Sequence, residues 1–287
     1  MTSYDYLYYD TRPTYKKGKG YKMDIKNKKL FLLDMDGTLY LGDQLFEGVT
    51  DFLALIKEKG GRYMFLTNNS SKSADAYIEK LGRLGIKAEP TDFFTSTEAT
   101  IRYLLKNGYK DKKIYAFGTR SFRKQLADAG LDITDKYSKD IDVLLCGFDT
   151  ELTFEKLEDA SRLLFDGAEF IATHPDWVCP TEYGCVPDCG SVCQMLTTVS
   201  GKKPLVIGKP KPEMVYAALE VSGFSAEEAL MVGDRIYTDI ACGVNAGIDT
   251  VLVLSGETTA EEAAKSDIIP SAVCENIKEI YREFSQK

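Results

Sequence analysis

Short runs in which every residue is apolar constrain this chain more than any other feature. Leu30-Phe31-Leu32-Leu33, Tyr63-Met64-Phe65-Leu66, Leu205-Val206-Ile207, Leu230-Met231-Val232 and Val251-Leu252-Val253-Leu254 are such runs. A strand without a polar face is buried on both sides, as strands of a parallel sheet are. The stretches between them carry helical spacing, as in Phe52/Leu55/Ile56 and Met214/Ala218/Val221. Alternation of the two predicts right-handed crossovers and an α/β fold, a doubly wound parallel sheet with helices on both faces.

The middle of the chain, 97–200, repeats the alternation with its own strands at Ile114-Tyr115-Ala116-Phe117, Val143-Leu144-Leu145-Cys146 and Phe170-Ile171-Ala172. It reads as an α/β domain inserted into a host made of 28–96 and 201–287, whose sheet resumes near Leu205. Residues 1–27, rich in Tyr, Lys and Gly, show neither helical nor strand period and read as a flexible or loosely docked extension.

Composition narrows the partners. A net charge of -8 gives a field that repels polyanions, which argues against nucleic acid and anionic membranes. A small phosphorylated metabolite stays compatible, because a bound cation and a few local donors reverse the field inside one pocket. No apolar run approaches the ~18 residues needed to span a bilayer, and no apolar block precedes a cleavage site, so the expected location is cytoplasmic. Seven cysteines form an odd set too sparse for a disulfide scaffold, so reduced thiols are expected.

Four strand ends carry polar clusters, and strand ends line the ligand crevice of an open α/β sheet. Asp34-Met35-Asp36-Gly37-Thr38 presents two carboxylates and a glycine that lets backbone N–H groups close on an oxyanion. Thr67-Asn68-Asn69-Ser70 offers a hydroxyl and helix-start N–H groups, which equally make an ordinary helix cap. Gly208-Lys209-Pro210 holds a lysine, and Gly233-Asp234-Arg235 is followed by Asp239. Carboxylates, a lysine and a hydroxyl around one crevice suit phosphoryl transfer. Hard oxygen ligands suit Mg²⁺, an aspartate serves as covalent nucleophile, and a second carboxyl moves the protons.

These four motifs, in this order, resemble those of the haloacid dehalogenase superfamily, specifically its NagD-like, p-nitrophenyl phosphatase branch. The resemblance runs from about Lys29 to the C-terminus. It implies a Rossmann-like core with an inserted α/β cap, and Asp34 as nucleophile and Mg²⁺ ligand. Asp36 would be general acid/base and would give its backbone carbonyl to the metal. Thr67 and the backbone of Asn68 would hold the phosphoryl group, and Lys209 would neutralise it and orient Asp34. Asp234 would bind Mg²⁺ directly, and Asp239 directly or through water. Gly37 is placed with the phosphate-binding residues.

The family's substrate-selecting cap loop would fall at His174-Pro175-Asp176-Trp177, where relatives often have Asn-Pro-Asp. His174, Asp176 and Trp177 are therefore candidate substrate contacts, Trp177 as a stacking wall. A rival reading is zinc, since the only histidine lies near Cys179, Cys185, Cys189 and Cys193. The absence of a Cys-x-x-Cys pair favours free thiols instead. The expected activity is Mg²⁺-dependent hydrolysis of sugar, nucleotide or related phosphate monoesters through an aspartyl phosphate, in a possible homo-oligomer. A phosphotransferase using the same intermediate and a noncatalytic phosphate-ligand sensor are the alternatives.

Overall fold

The computed structural model describes residues 24–181 and 183–286. From the N-terminal side the chain runs through β1 (Leu30–Leu33), a small hairpin of β2 (Tyr40–Leu41) and β3 (Gln44–Leu45), α1 (Val49–Glu58), β4 (Arg62–Thr67), α2 (Ala74–Arg83), β5 (Phe93–Thr95) and α3 (Ser96–Lys106). It continues through β6 (Lys113–Phe117), α4 (Arg120–Asp128), β7 (Asp132–Thr134), β8 (Val143–Cys146), α5 (Phe154–Asp166) and β9 (Glu169–Ala172). The hairpin β10 (Val178–Thr181) and β11 (Gly184–Pro187) leads into α6 (Cys189–Ser200), β12 (Leu205–Val206) and α7 (Glu213–Ser222). The chain ends with β13 (Ala229–Gly233), α8 (Ala241–Ala246), β14 (Asp249–Val253), α9 (Ala260–Lys265), β15 (Ala272–Cys274) and α10 (Ile277–Ser285).

Two parallel sheets result. One has six strands in the order β15-β14-β13-β1-β4-β5, the other five in the order β12-β9-β8-β6-β7. In the six-stranded sheet the chain starts at β1, builds outward through β4 and β5, then returns to the other side of β1 as β13. The carboxyl ends of β1 and β13 thus flank the point where strand order reverses, the place where open α/β sheets bind ligands.

Alternate residues of each strand feed opposite cores. Phe31 and Leu33 join the cluster packed under α1 and α10, whereas Leu30 and Leu32 join a second one with Met214 and Ala218 of α7. That second cluster also takes Ile114, Ala116, Val143, Leu145 and Ile171 from the five-stranded sheet, so one apolar layer is shared by both sheets. The opposite face of the five-stranded sheet packs Leu144, Cys146 and Phe170 against α5 and α6.

Two expectations change. Leu205-Val206 pairs with Ile171-Ala172 at the edge of the five-stranded sheet, so the chain rejoins the six-stranded sheet only at β13. An apolar run does not record which sheet it extends, and Leu205 at the edge is 40% exposed. Of the proposed extension, 1–23 lies outside the described residues. Ile25–Asn27 forms a 3₁₀ turn whose Ile25 is buried in the first cluster, so this end is docked.

Candidate active site

Lys209 organises the site. Its ammonium donates to Asp34 Oδ1 at 2.7 Å, Asp239 Oδ1 at 2.6 Å and the Leu66 carbonyl at 3.0 Å, which uses all three of its hydrogens. The residue is only 2% exposed. Burial opposes its charge, but the Asp239 and Asp34 carboxylates outweigh that and hold the ammonium above its ordinary pKa.

Asp34 follows β1 directly, and its N–H donates to the Val232 carbonyl of β13 at 2.9 Å. Asp234 follows β13. Its Oδ2 accepts the Glu257 N–H at 2.7 Å, and its Oδ1 the Thr38 hydroxyl at 3.3 Å. Asp239 lies in a π-helical turn over Ile236–Ile240, in which the Ile240 N–H reaches back to the Arg235 carbonyl. Such widened turns recur at functional sites. This one returns the Asp239 carboxylate to accept the Arg235 N–H at 3.0 Å.

Donor atoms of Asp34, Asp234 and Asp239 lie within 4.8 Å of one another. Three carboxylates crowd around one ammonium, and the crowding shows in Asp34 and Asp234. Burial, with Asp239 adding to it, pushes the Asp34 carboxyl well above its usual range, and the same two causes push Asp234 up to about 6. An all-oxygen donor set of three close carboxylates fits a hard divalent cation.

Glycines make the close approach possible. Gly37 has φ +85, and a Cβ there would lie 2.4 Å from Asp234 Oδ2. A Cβ on Gly256 would come within 2.0 Å of the same oxygen, and one on Gly233 within 2.3 Å of the Asp239 Cβ. The Gly37 N–H donates to the Tyr40 carbonyl at 2.8 Å.

A cleft opens above Lys209. Asp34, Asp36, Thr67, Asn68, Lys209 and Asp239 line one side, and Asp176, Val178, Cys179 and Asp188 the other. Thr67 Oγ1 accepts the Asn69 N–H at 3.2 Å, and its hydroxyl is also hydrogen-bonded to the Tyr77 phenol. The Asp36 side chain is 55% exposed and turned toward Lys80 at 3.4 Å, with the Tyr40 hydroxyl at 3.3 Å. The Asn68 side chain is a bracket that sequence reasoning missed. Its Oδ1 accepts the Lys209 N–H at 2.9 Å, and its Nδ2 donates to the Lys209 carbonyl and to Asp176 Oδ1, each at 3.0 Å.

Of the three loop candidates, Asp176 alone reaches the cleft. It is 6% exposed, and Arg235 approaches its Oδ2 at 3.7 Å. Burial raises its pKa to about 6, with Arg235 and Asn68 opposing the rise. His174 is fully buried behind the cleft wall. Its Nε2 lies 3.5 Å from Ser70 Oγ, and its Nδ1 has no hydrogen-bond partner. Burial lowers its pKa and keeps the ring neutral. Trp177 is 44% exposed and does not line the cleft, and its carbonyl accepts the Asp188 N–H at 3.0 Å and the Ser191 hydroxyl at 2.5 Å.

The cysteines also sort differently from the rival zinc reading. Cys146, Cys189 and Cys193 pack in the apolar layer under α5 and α6, with the Cys189 and Cys193 sulfurs 3.9 Å apart. The donor group around His174 consists of Asp176 and Asp188, without a cysteine. Arg235 and the segment after β14 were also unassigned by sequence reasoning. Ser255 donates to the Gly37 carbonyl at 2.7 Å, and Glu257 holds Arg235 at 2.8 Å. The glycine in Ser255-Gly256-Glu257, at a strand end, was the available signal.

The fold and this set of strand-end residues define a class. The sequence pattern of haloacid dehalogenase-like hydrolases matches residues 31–132, and a second HAD-hydrolase-like pattern matches 206–280. The acid sugar phosphatase of Staphylococcus aureus is 34% identical over 262 residues, spanning 91% of this chain and 100% of that protein. Among solved structures, 4-nitrophenylphosphatase from Thermotoga maritima superimposes with a TM-score of 0.85 at 39% identity, covering 91% of this chain and 99% of that one. NagD from E. coli K-12 gives 0.80 at 31% identity, covering 88% and 98%. The chain belongs to the haloacid dehalogenase-like hydrolases. Within that family it falls in the NagD-like branch, and it is a phosphoric monoester hydrolase.

Proposed function

We propose that this protein hydrolyses small phosphate monoesters, sugar phosphates among them, in a Mg²⁺-dependent reaction that passes through an aspartyl phosphate on Asp34. One observation carries the reading: Lys209 holds Asp34 by a single oxygen, Oδ1, at the strand-order switch point, inside a cluster of three close carboxylates. The other Asp34 oxygen is left to attack.

In the reaction, Asp34 forms a bond to phosphorus as the bond to the leaving oxygen breaks, and Asp36 gives that oxygen its proton. The Asp36–Lys80 contact is half exposed, so releasing Asp36 toward the substrate costs little. Asp36 then takes a proton from water, the water oxygen attacks phosphorus, and Asp34 is freed with release of phosphate. Thr67 and the Asn68 backbone hold the phosphoryl oxygens, and Lys209 balances their charge. Asp34, Asp234 and Asp239, with the Asp36 carbonyl, are the residues that would hold Mg²⁺. The ion when bound supplies the positive charge that lets an anionic substrate approach an anionic nucleophile. A cytoplasmic location is part of the proposal; among the described residues no helix is long and apolar enough to cross a membrane.

Turnover of a panel of phosphorylated metabolites, with Mg²⁺ and with EDTA, tests this reading. Metal-dependent release of inorganic phosphate from at least one sugar phosphate is expected. Full activity in EDTA-treated protein would overturn the mechanism.

A further inference from the structure

We propose that His174, Asp176 and Asp188 form a second metal site, for a divalent transition ion such as Zn²⁺, in the cleft wall opposite the Asp34/Asp234/Asp239 cluster. His174 is 0% exposed, and its Nδ1 is a buried polar atom without a hydrogen-bond partner. Such orphans are rare in folded proteins and call for an explanation. The group nearest to it is the Asp176 carboxylate, with Oδ2 at 3.6 Å. That separation is too long for a hydrogen bond. It matches the edge of a metal polyhedron, since two donors each about 2.1 Å from a tetrahedral ion lie about 3.4 Å apart.

Asp188 completes the set, with one donor atom from each of the three residues falling within 4.8 Å of the others. The Asp188 carboxylate is fixed as the N-cap of α6, where its Oδ1 accepts the Cys189 N–H at 2.6 Å, and the residue is 4% exposed. The other ring nitrogen, Nε2, lies 3.5 Å from Ser70 Oγ and 3.6 Å from Asp188 Oδ1, so the imidazole sits between the two carboxylates.

The donors also set the choice of ion. An imidazole with two carboxylates suits zinc and its neighbours, whereas the all-oxygen cluster around Asp34 suits magnesium. Two cations act on Asp176: Lys209, which Asp34 and Asp239 already hold, and Arg235 at 3.7 Å, whose bond to Glu257 at 2.8 Å gives it another partner when an ion arrives. Three protein ligands leave a coordination position open, and Asp176 and Asp188 both border the cleft. An ion held there narrows the cleft, so zinc inhibits magnesium-supported turnover through His174.

Zinc-edge anomalous diffraction from crystals of the unmutated protein, grown in excess Mg²⁺ and soaked with Zn²⁺, tests the site directly. A peak beside His174 Nδ1 is expected; no peak, or a peak confined to the Asp34 cluster, overturns the proposal. In solution, equilibrium dialysis against Zn²⁺ in saturating Mg²⁺ should show His174→Asn retaining one ion fewer per chain, with affinity at that site falling roughly a hundredfold. Its turnover in zinc-free Mg²⁺ buffer should match the parent. Equal zinc retention by the two proteins overturns the assignment, and the diffraction result stands alone if the variant does not fold.

Discussion

At Gly37 a single missing methyl group decides whether the carboxylate cluster can assemble. The left-handed backbone, φ +85, disfavours any other residue, and the space a Cβ would need is 2.4 Å from Asp234 Oδ2. Gly37→Ala should therefore destabilise the fold by about 1–3 kcal/mol and displace Asp234, weakening Mg²⁺ binding. Thermal melting and a Mg²⁺ titration of activity check both parts, and an unchanged Mg²⁺ requirement would remove Gly37 from the metal site. Asp36 makes a different kind of prediction, because its proton matters only when the leaving oxygen needs one. Asp36→Asn should slow the phosphorylation step severely with an alkyl phosphate and mildly with p-nitrophenyl phosphate, whose nitrophenolate leaves without a proton. Pre-steady-state bursts measure that step, and equal losses for the two substrates would make Asp36 a positioning residue only.

Among the elements, the loops after β4, β9, β12 and β13 meet through side chains that no local pattern announces. Asn68 ties the β4 loop to both backbone groups of Lys209 and to Asp176. Asn68→Ala would leave those buried partners unpaired, an expected loss of about 2–4 kcal/mol seen in denaturant unfolding. A loss below the scatter of the measurement would reduce the bracket to decoration. The same geometry explains what the sequence made legible. All-apolar runs located β1, β4, β6, β8, β9, β13 and β14, because burial on both faces leaves a local mark. The four strand-end motifs singled out Asp34, Lys209, Asp234 and Asp239, which the fold brings together, because residues at neighbouring strand ends share one edge of the sheet. Leu205-Val206 went to the wrong sheet because strand partners are chosen across long sequence separations. Sequence places a loop near a site without giving the direction of its side chains, so it does not separate Asp176, which lines the cleft, from His174 and Trp177, which do not. The part of Asn68 beyond its backbone stayed hidden because its partners lie 108 and 141 positions away.

Over the whole molecule, the shared apolar layer joins two sheets whose loops enclose a cleft, with Asp34, Lys209 and Asp239 on one wall and the β10–β11 hairpin on the other. Binding Mg²⁺ to the three repelling carboxylates should stabilise the entire fold, by about 2.7 kcal/mol at a concentration one hundred times the Kd. Thermal melting with and without Mg²⁺ reads this, and Asp34→Asn should lose most of the increment. In the proposed reaction the hairpin, whose Val178 and Cys179 line the cleft, would face the leaving group rather than the phosphoryl group. Replacing 178–187 with a Gly/Ser-rich loop of equal length, with Asp176 and Asp188 retained, should reorder kcat/KM across a panel of phosphorylated metabolites. It should also spare most p-nitrophenyl phosphate turnover. A uniform fall would make the hairpin a brace. The claim on which the account rests is the covalent role of Asp34, and rapid acid quenching during turnover of a substrate with an isotopically labelled phosphoryl group tests it most directly. The account predicts label on the peptide containing Asp34, released by hydroxylamine as an acyl phosphate is. Label on any other residue, or no protein-bound label at quench times shorter than one turnover, would contradict it.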